Sequence, residues 1–195
     1  STMTPAAEFQ LILAIALEPL PVEKNAPFMV REMANAAREA GVGPMAAVAG
    51  AIAETVGREL LPFSDEVIVE NGGDIFIRTL KERFIGIYAG ESVLSGRIAF
   101  AVHAEETPVG ICTSSGSVGH SFSFGKADAV IVLSSSTSLA DAAATAIGNR
   151  VSSASDITGA LEFAQGMAHL RGVAVIKDDH MGLWGQIRLA DVDER

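Results

Sequence analysis

EVIVENGGDIFIR (66–78) is a pair of β-rich runs hinged on Asn-Gly-Gly. Asn-Gly is the strongest short-range hairpin signal, so the runs 66–70 and 74–78 are expected to pair antiparallel without a helical crossover. Two further runs, RFIGIYA (83–89) and GRIAFAVH (96–103), follow at short spacing and read as strands of the same kind. Helices precede them. APFMVREMANAAREAG places Met29, Met33, Ala36, Ala37 and Ala40 on one face and stops at Gly41. After a GVGP turn, MAAVAGAIAETVGRELL is apolar nearly all round until Glu54, the pattern of a central, buried helix packed under a sheet. Downstream, DAVIVLS (128–134) reads as a strand, one helix runs around Asp141 and another near 156–169, and GVAVIK (172–177) and LWGQIRLA (183–190) read as closing strands. Helices and strands thus recur in two blocks with mainly antiparallel pairing, which is an α+β class.

Composition narrows the function. A chain of 195 residues with 49% hydrophobic content can bury a full core, and its length favours one compact domain over 1–195. The formal net charge of −10, with no basic stripe, argues against a duplex nucleic acid partner, because phosphate-backbone binding is driven by clustered Lys and Arg. A single cysteine, Cys112, allows neither an internal disulfide nor a multi-cysteine zinc site, and a reducing cytoplasm fits that usage. The apolar segment FQLILAIAL (9–17) is too short to span a bilayer, follows no basic segment and is broken by EPLP. It reads as core, so neither a membrane anchor nor an export signal is expected.

Chemistry-bearing residues collect at the turns. Gly43 belongs to a turn leading into a helix start with Pro44, where free N–H groups can receive an anion or simply join two packed helices. Asn71, Gly72, Gly73 and Asp74 form either a plain hairpin turn or a backbone that a ligand can approach closely. The segment GICTSSGSVGHSFSFGKADA (110–129) supplies hydroxyls from Thr113, Ser114, Ser115 and Ser117, glycines including Gly116, the imidazole of His120 and the Cys112 thiol. That mixture suits a polar ligand. Cys112 stands between a nucleophile, which would need an adjacent base, and buried filler; His120 stands between a proton carrier and a structural histidine. In LADAAATAIGN (139–149), Ser138 and Asp141 form a capping-box pattern, while Asp141 and Thr145, four apart, share one helical face and could offer Mg²⁺ two hard oxygens.

Taken in order, ENGGDIF, CTSSG, a following histidine and ADAAATAIGN resemble the signature of the ApbE-like superfamily, whose best-known members are FAD:protein FMN transferases. The wording of GVGPMAAVAGAIAE, VENGGDIF and GICTSSGSVGHSFSFGKADA is closer still to a short, uncharacterised branch of it. The resemblance implies a fold of two sheet-and-helix halves and a Mg²⁺ site made by Asp141, Thr145 and the backbone carbonyl of Ala46. It implies FAD or FMN as cofactor, held near Gly43, Ala46, Asn71 to Asp74 and Thr113 to Gly116, and His120 as the catalytic histidine. Ala47-Val48 stands where the transferases have Lys-Gly, and Ser121 to Phe124 where they have a hydrophobic-Asp-Pro segment. On this resemblance the longer N-terminal portion of the transferases is expected to be missing or trimmed. The expected activity is Mg²⁺-dependent binding of a flavin nucleotide or related phosphate-bearing ligand, with FMN-transferase-like or pyrophosphate-cleaving chemistry. A non-catalytic flavin-binding module and a structural protein without ligand are the alternatives. A protein acceptor and self-association stay open.

Overall fold

The computed structural model describes residues 11–116 and 125–191. After a short helical stretch at 11–15, helix α1 (Phe28–Ala40) leads through a 3-10 turn at Pro44–Ala47 into α2 (Val48–Leu60). Strands β1 (Val67–Asn71), β2 (Asp74–Arg78), β3 (Arg83–Gly86), β4 (Ile98–Val102), β5 (Val109–Ser114) and β6 (Ala129–Ser134) follow. Helices α3 (Thr137–Gly148) and α4 (Ile157–Gln165) come next, and β7 (Leu170–Lys177), β8 (His180–Gly185) and β9 (Leu189–Asp191) close the chain.

The larger sheet has the order β1-β2-β5-β6-β7-β8 and the smaller β3-β4-β9, with every neighbouring pair antiparallel. The α+β class with antiparallel strands is therefore what the chain adopts. Asn71 pairs with Asp74, which leaves Gly72 and Gly73 as a two-residue loop. Both have positive φ (65° and 104°), the backbone that matches the twist of a tight hairpin and that side chains other than glycine's resist.

Helices and the small sheet cover opposite faces of the large one. Cys112, Val130, Val132, Val173 and Val175 point to the helices; Ile111, Ala129, Ile131, Ala174 and Ile176 point to Phe100, Val102 and Ile87 of the smaller sheet and its flank. Burial on both faces is why β6 reads as an unbroken apolar run.

Several expectations are corrected. In 11–17, Leu11, Ile12, Ile15 and Leu17 are exposed, Ile15 by 67%, so this segment is not core; at little more than one helical turn, it adds no face to a layer that the four longer helices already fill. Helix α2 is buried on one side only, and inverted in size: Gly50, Ala51, Ala53 and Gly57 face inward while Ile52, Val56 and Leu60 are exposed. A Cβ on Gly50 would stand 2.4 Å from the Thr137 carbonyl, and one on Gly57 would stand 2.1 Å from the Phe76 ring, so close approach selects the small residues. The run 183–190 is not one strand. At Gly185 (φ 77°) the chain leaves β8 and re-enters the smaller sheet as β9. Among the described residues no single helix is long and apolar enough to cross a membrane.

Candidate functional site

Helices α2 and α3 cap each other. Ser136 is the N-cap of α3, its Oγ accepting from Leu139 N at 3.3 Å, and Glu54 of α2 accepts from Thr137 N at 2.7 Å and Ser138 N at 3.3 Å. The capping-box reading of Ser138 and Asp141 thus gives way, because the helix starts before Ser138 and Asp141 lies in its second turn. The carboxylate instead serves α2, which has no side-chain cap from its own N-cap residue: Asp141 Oδ2 accepts from Gly50 N at 2.9 Å and also takes the Ala49 N–H. Backbone N–H groups left over at a helix start are what an acidic side chain satisfies best.

Asp74 completes the arrangement from the hairpin. It is 5% exposed, its Oδ1 accepts from Thr113 N at 3.2 Å, and it is in side-chain hydrogen-bond contact with both Asp141 and Cys112. Burial pushes the Asp74 carboxyl up to about 6, and the charge of Glu70 adds to the rise. Burial and the neighbouring Asp74 charge likewise raise Asp141 well above the ordinary carboxylate range. Two buried carboxyls in contact favour holding a proton between them. Cys112, fully buried, is pushed up by burial and by both carboxylates, and its thiol donates to the Thr137 carbonyl at 3.3 Å. It remains a neutral thiol, which removes the nucleophile reading.

These groups form the polar end of a cavity of about 510 Å³ at the hairpin end of the large sheet. Thr145 joins Asp141 on its wall, one helical turn on, together with Asn71, whose amide donates to the Ala49 carbonyl at 3.2 Å. Beyond them the cavity reaches the edge of the space between the sheets at the half-buried Ile75 and Ile85, floored by the nearly fully buried Ile87, Phe100, Ile111 and Ile131, with Tyr88, 66% exposed, at the mouth. The lining carries three acids, Glu70, Asp74 and Asp141, and among the described residues no Lys or Arg.

A family model described as AbpE bacteria matches residues 4–181. The chain belongs to that family. Its relatives include a UPF0280 protein of Methanocaldococcus jannaschii, 45% identical over 183 residues that cover 91% of this chain and 74% of the relative. Another, from Methanosarcina barkeri, is 39% identical and covers 93% and 72%. Among solved structures, the flavin transferase ApbE from Vibrio cholerae superposes with a TM-score of 0.51 at 21% identity, over 74% of this chain and 50% of that one. The apo flavinyl transferase ApbE from Pseudomonas stutzeri gives 0.51 at 16% identity, over 74% and 48%. The chain thus spans about half the length of either transferase, and the likeness is one of fold.

In this AbpE-family chain the cavity gathers Asn71, Gly72, Gly73, Asp74, Thr113, Ser114, Ser115, Asp141 and Thr145. Gly43, Ala46 and Gly116 are not among its lining residues. Gly43 faces the Ala16 carbonyl, Ala46 sits in the 3-10 turn and packs on the helical core, and Gly116 donates to the Ala127 carbonyl with Gly125 against it. His120 lies outside the described residues. Sequence reasoning missed the apolar arm and the mouth residue Tyr88; Glu70, exposed and accepting from Gly73 N at 2.7 Å across the turn, stands at the cavity's rim. Tyr88 carried one usable signal, being the chain's single tyrosine.

The donor set suits a hard cation. Asp74, Asp141 and Thr145 offer oxygens only, and among the described residues no group of three or more His, Cys, Asp or Glu is spaced to hold a metal. Two carboxylates and a hydroxyl fit Mg²⁺, which keeps several waters and relies on few protein groups.

Proposed function

We propose that this chain binds a flavin nucleotide, FAD or FMN, in the cavity with Mg²⁺ at Asp141, Thr145 and Asp74, and carries out flavin-transferase-like chemistry on it. The observation that carries the reading is the continuity of a carboxylate-rich polar end with a slot between two sheets. A flat, largely apolar ring would lie against the half-buried Ile75 and Ile85 and the exposed Tyr88, while Ser114, Ser115 and the Gly72 and Gly73 backbone would meet its polar chain. Three acids with no Lys or Arg beside them among the described residues would repel a phosphate, so a divalent ion is the partner that makes the polar end hospitable to one. When bound there, Mg²⁺ would neutralise charge developing on the phosphates. Asp141 is held ready by the Gly50 N–H, and Asp74 by the Thr113 N–H. His120 is assigned the proton transfer. A protein acceptor is the partner that transfer would need.

The lack of a lining Lys or Arg among the described residues favours a second reading, a module that holds the nucleotide without reacting it. Phosphorus NMR of FAD incubated with the protein and Mg²⁺ separates the two. Loss of the pyrophosphate resonances is expected for the enzyme; their retention with line broadening would leave only the module; no interaction with or without Mg²⁺ would overturn both.

A further inference from the structure

A second hollow, of about 590 Å³, shares no residue with the first cavity. It is walled by the C-terminal end of α1 (Arg38 to Gly41), by Arg150 just beyond α3, and by the end of α4 and the link to β7 (Phe163, Gly166 to His169). We propose that this hollow is a binding site for a phosphate monoester, with Arg38, Arg150 and His169 as its donors.

The chain carries ten more acids than bases, yet this hollow gathers two guanidiniums and an imidazole against one acid, Glu39. Neither Arg38 nor Arg150 has an acidic partner among the described residues. Guanidiniums that line one hollow without acidic partners keep N–H donors available to an anion.

Basic residues at helix C-terminal ends ordinarily answer the free carbonyls there, and Arg150 Nη1 does donate to the Ala146 carbonyl at 2.9 Å. That uses one of five N–H donors. The guanidinium carbon also lies 3.3 Å from the Phe163 ring centroid, so the planar group is pinned by stacking, with donors to spare at its edge. Arg38 spends one contact on Asn35 Oδ1 at 3.0 Å. His169 sits in a left-handed backbone conformation (φ 67°), unusual for a residue other than glycine, and its carbonyl is held by Ser134 Oγ at 3.0 Å.

Two guanidiniums and an imidazole suit a dianionic, tetrahedral oxyanion better than a single carboxylate, because a phosphate presents three acceptor oxygens to separate donors. The hollow is also much larger than one phosphate, and Met167 and Ala168 give it an apolar side, so the phosphate would bring an organic body with it.

The test uses the whole chain in EDTA, so that no metal-bridged phosphate can bind at Asp141, with ribose 5-phosphate, inorganic phosphate and ionic-strength-matched NaCl as probes. Ribose 5-phosphate should shift the His169 imidazole resonances saturably and raise Tm beyond NaCl. Arg38→Gln, an exposed substitution that leaves the core alone, should weaken binding at least about tenfold, the usual worth of a charged hydrogen bond. Arg150→Lys, which keeps the charge but loses the fork, should do likewise, and Asp141→Asn should bind as the parent does. No saturable shift beyond NaCl, or an undiminished affinity in Arg38→Gln, would overturn the site. Loss of binding in Asp141→Asn would place the phosphate in the first cavity instead. Inorganic phosphate binding as tightly as ribose 5-phosphate would overturn the monoester assignment.

Discussion

Replacing Asp74 by asparagine should make the metal-free protein more stable at pH 7.5, and the gain should vanish in acid. The carboxyl is 5% exposed and burial holds it up at about 6 from an ordinary 3.8, against the pull of the neighbouring Cys112, the Thr113 N–H and Asp141. A folded-state value above the unfolded one means that the native state binds the proton more tightly. The stability that proton contributes is complete below about pH 4 and is lost as pH rises through about 6. A shift of this size corresponds to a cost of about 3 kcal/mol for ionising Asp74 in the fold at neutral pH. Asparagine never ionises and still offers the Thr113 N–H an oxygen, so after about 1 kcal/mol for altered hydrogen bonding the net gain should be about 2 kcal/mol. Urea unfolding in EDTA at a series of pH values reads this directly, as a higher midpoint with an unchanged slope. An Asp74→Asn variant no more stable than the parent at pH 7.5, or equally favoured at pH 3.5, would refute the buried-carboxyl account.

Asp141→Asn should fold normally, since the amide oxygen can still accept from Gly50 N–H, yet lose the Mg²⁺-dependent thermal shift with FAD or FMN; Thr145→Val should show a weaker form of that defect. An undiminished shift in Asp141→Asn would sink the metal site. Cys112→Ser should keep ligand binding and cost about 1 kcal/mol of stability, the thiol being buried and neutral, and native Cys112 should resist alkylation at pH 8 until urea is added. Fast alkylation of the folded protein would revive a reactive thiol. His120→Ala should lower any flavin turnover by roughly 10²-fold while leaving nucleotide affinity near the parent's, and equal losses in both would remove the proton-transfer role.

What was legible in the sequence was local. The hairpin at 66–78 follows from two glycines that accept positive φ, and the common face of Asp141 and Thr145 follows from helical spacing. Strand β5 was hidden because its residues read as the start of a polar loop. Gly110, Cys112 and Ser114 face the helices there, Gly110 because a Cβ would stand 2.5 Å from Thr137 Cα, and no such partner is visible along the chain. LWGQIRLA looked continuous since both its halves are strands, and only the turn at Gly185 assigns them to different sheets. The apolar arm of the cavity was illegible for a plainer reason. Ile85, Ile111 and Phe100 have the composition of core whether the space between them is filled or open.

The partners of Asp141 lie furthest from sequence reach and say most about the site. Gly50 is 91 positions away, and its N–H meets the carboxylate only because the glycine lets α2 approach α3, a Cβ there being 2.8 Å from Asp141 Cβ. Glu54, one turn further along α2, reaches back to the start of α3. Helix α3 therefore supplies the cap that α2 lacks, and α2 adds Glu54 as a second acceptor beside the Ser136 cap of α3. Asp141 is consequently positioned by the fold before any ligand arrives, which is what a preorganised site needs. The same contact sets its chemistry. The α2 amides stabilise the ionised form, whereas burial and Asp74 oppose it, so the pair holds a proton in the absence of a cation and should release one when a cation binds. Mg²⁺ affinity should accordingly rise with pH through about 6, and Asp74→Asn, which removes both the titrating carboxyl and one proposed ligand, should lower that affinity and flatten its pH dependence.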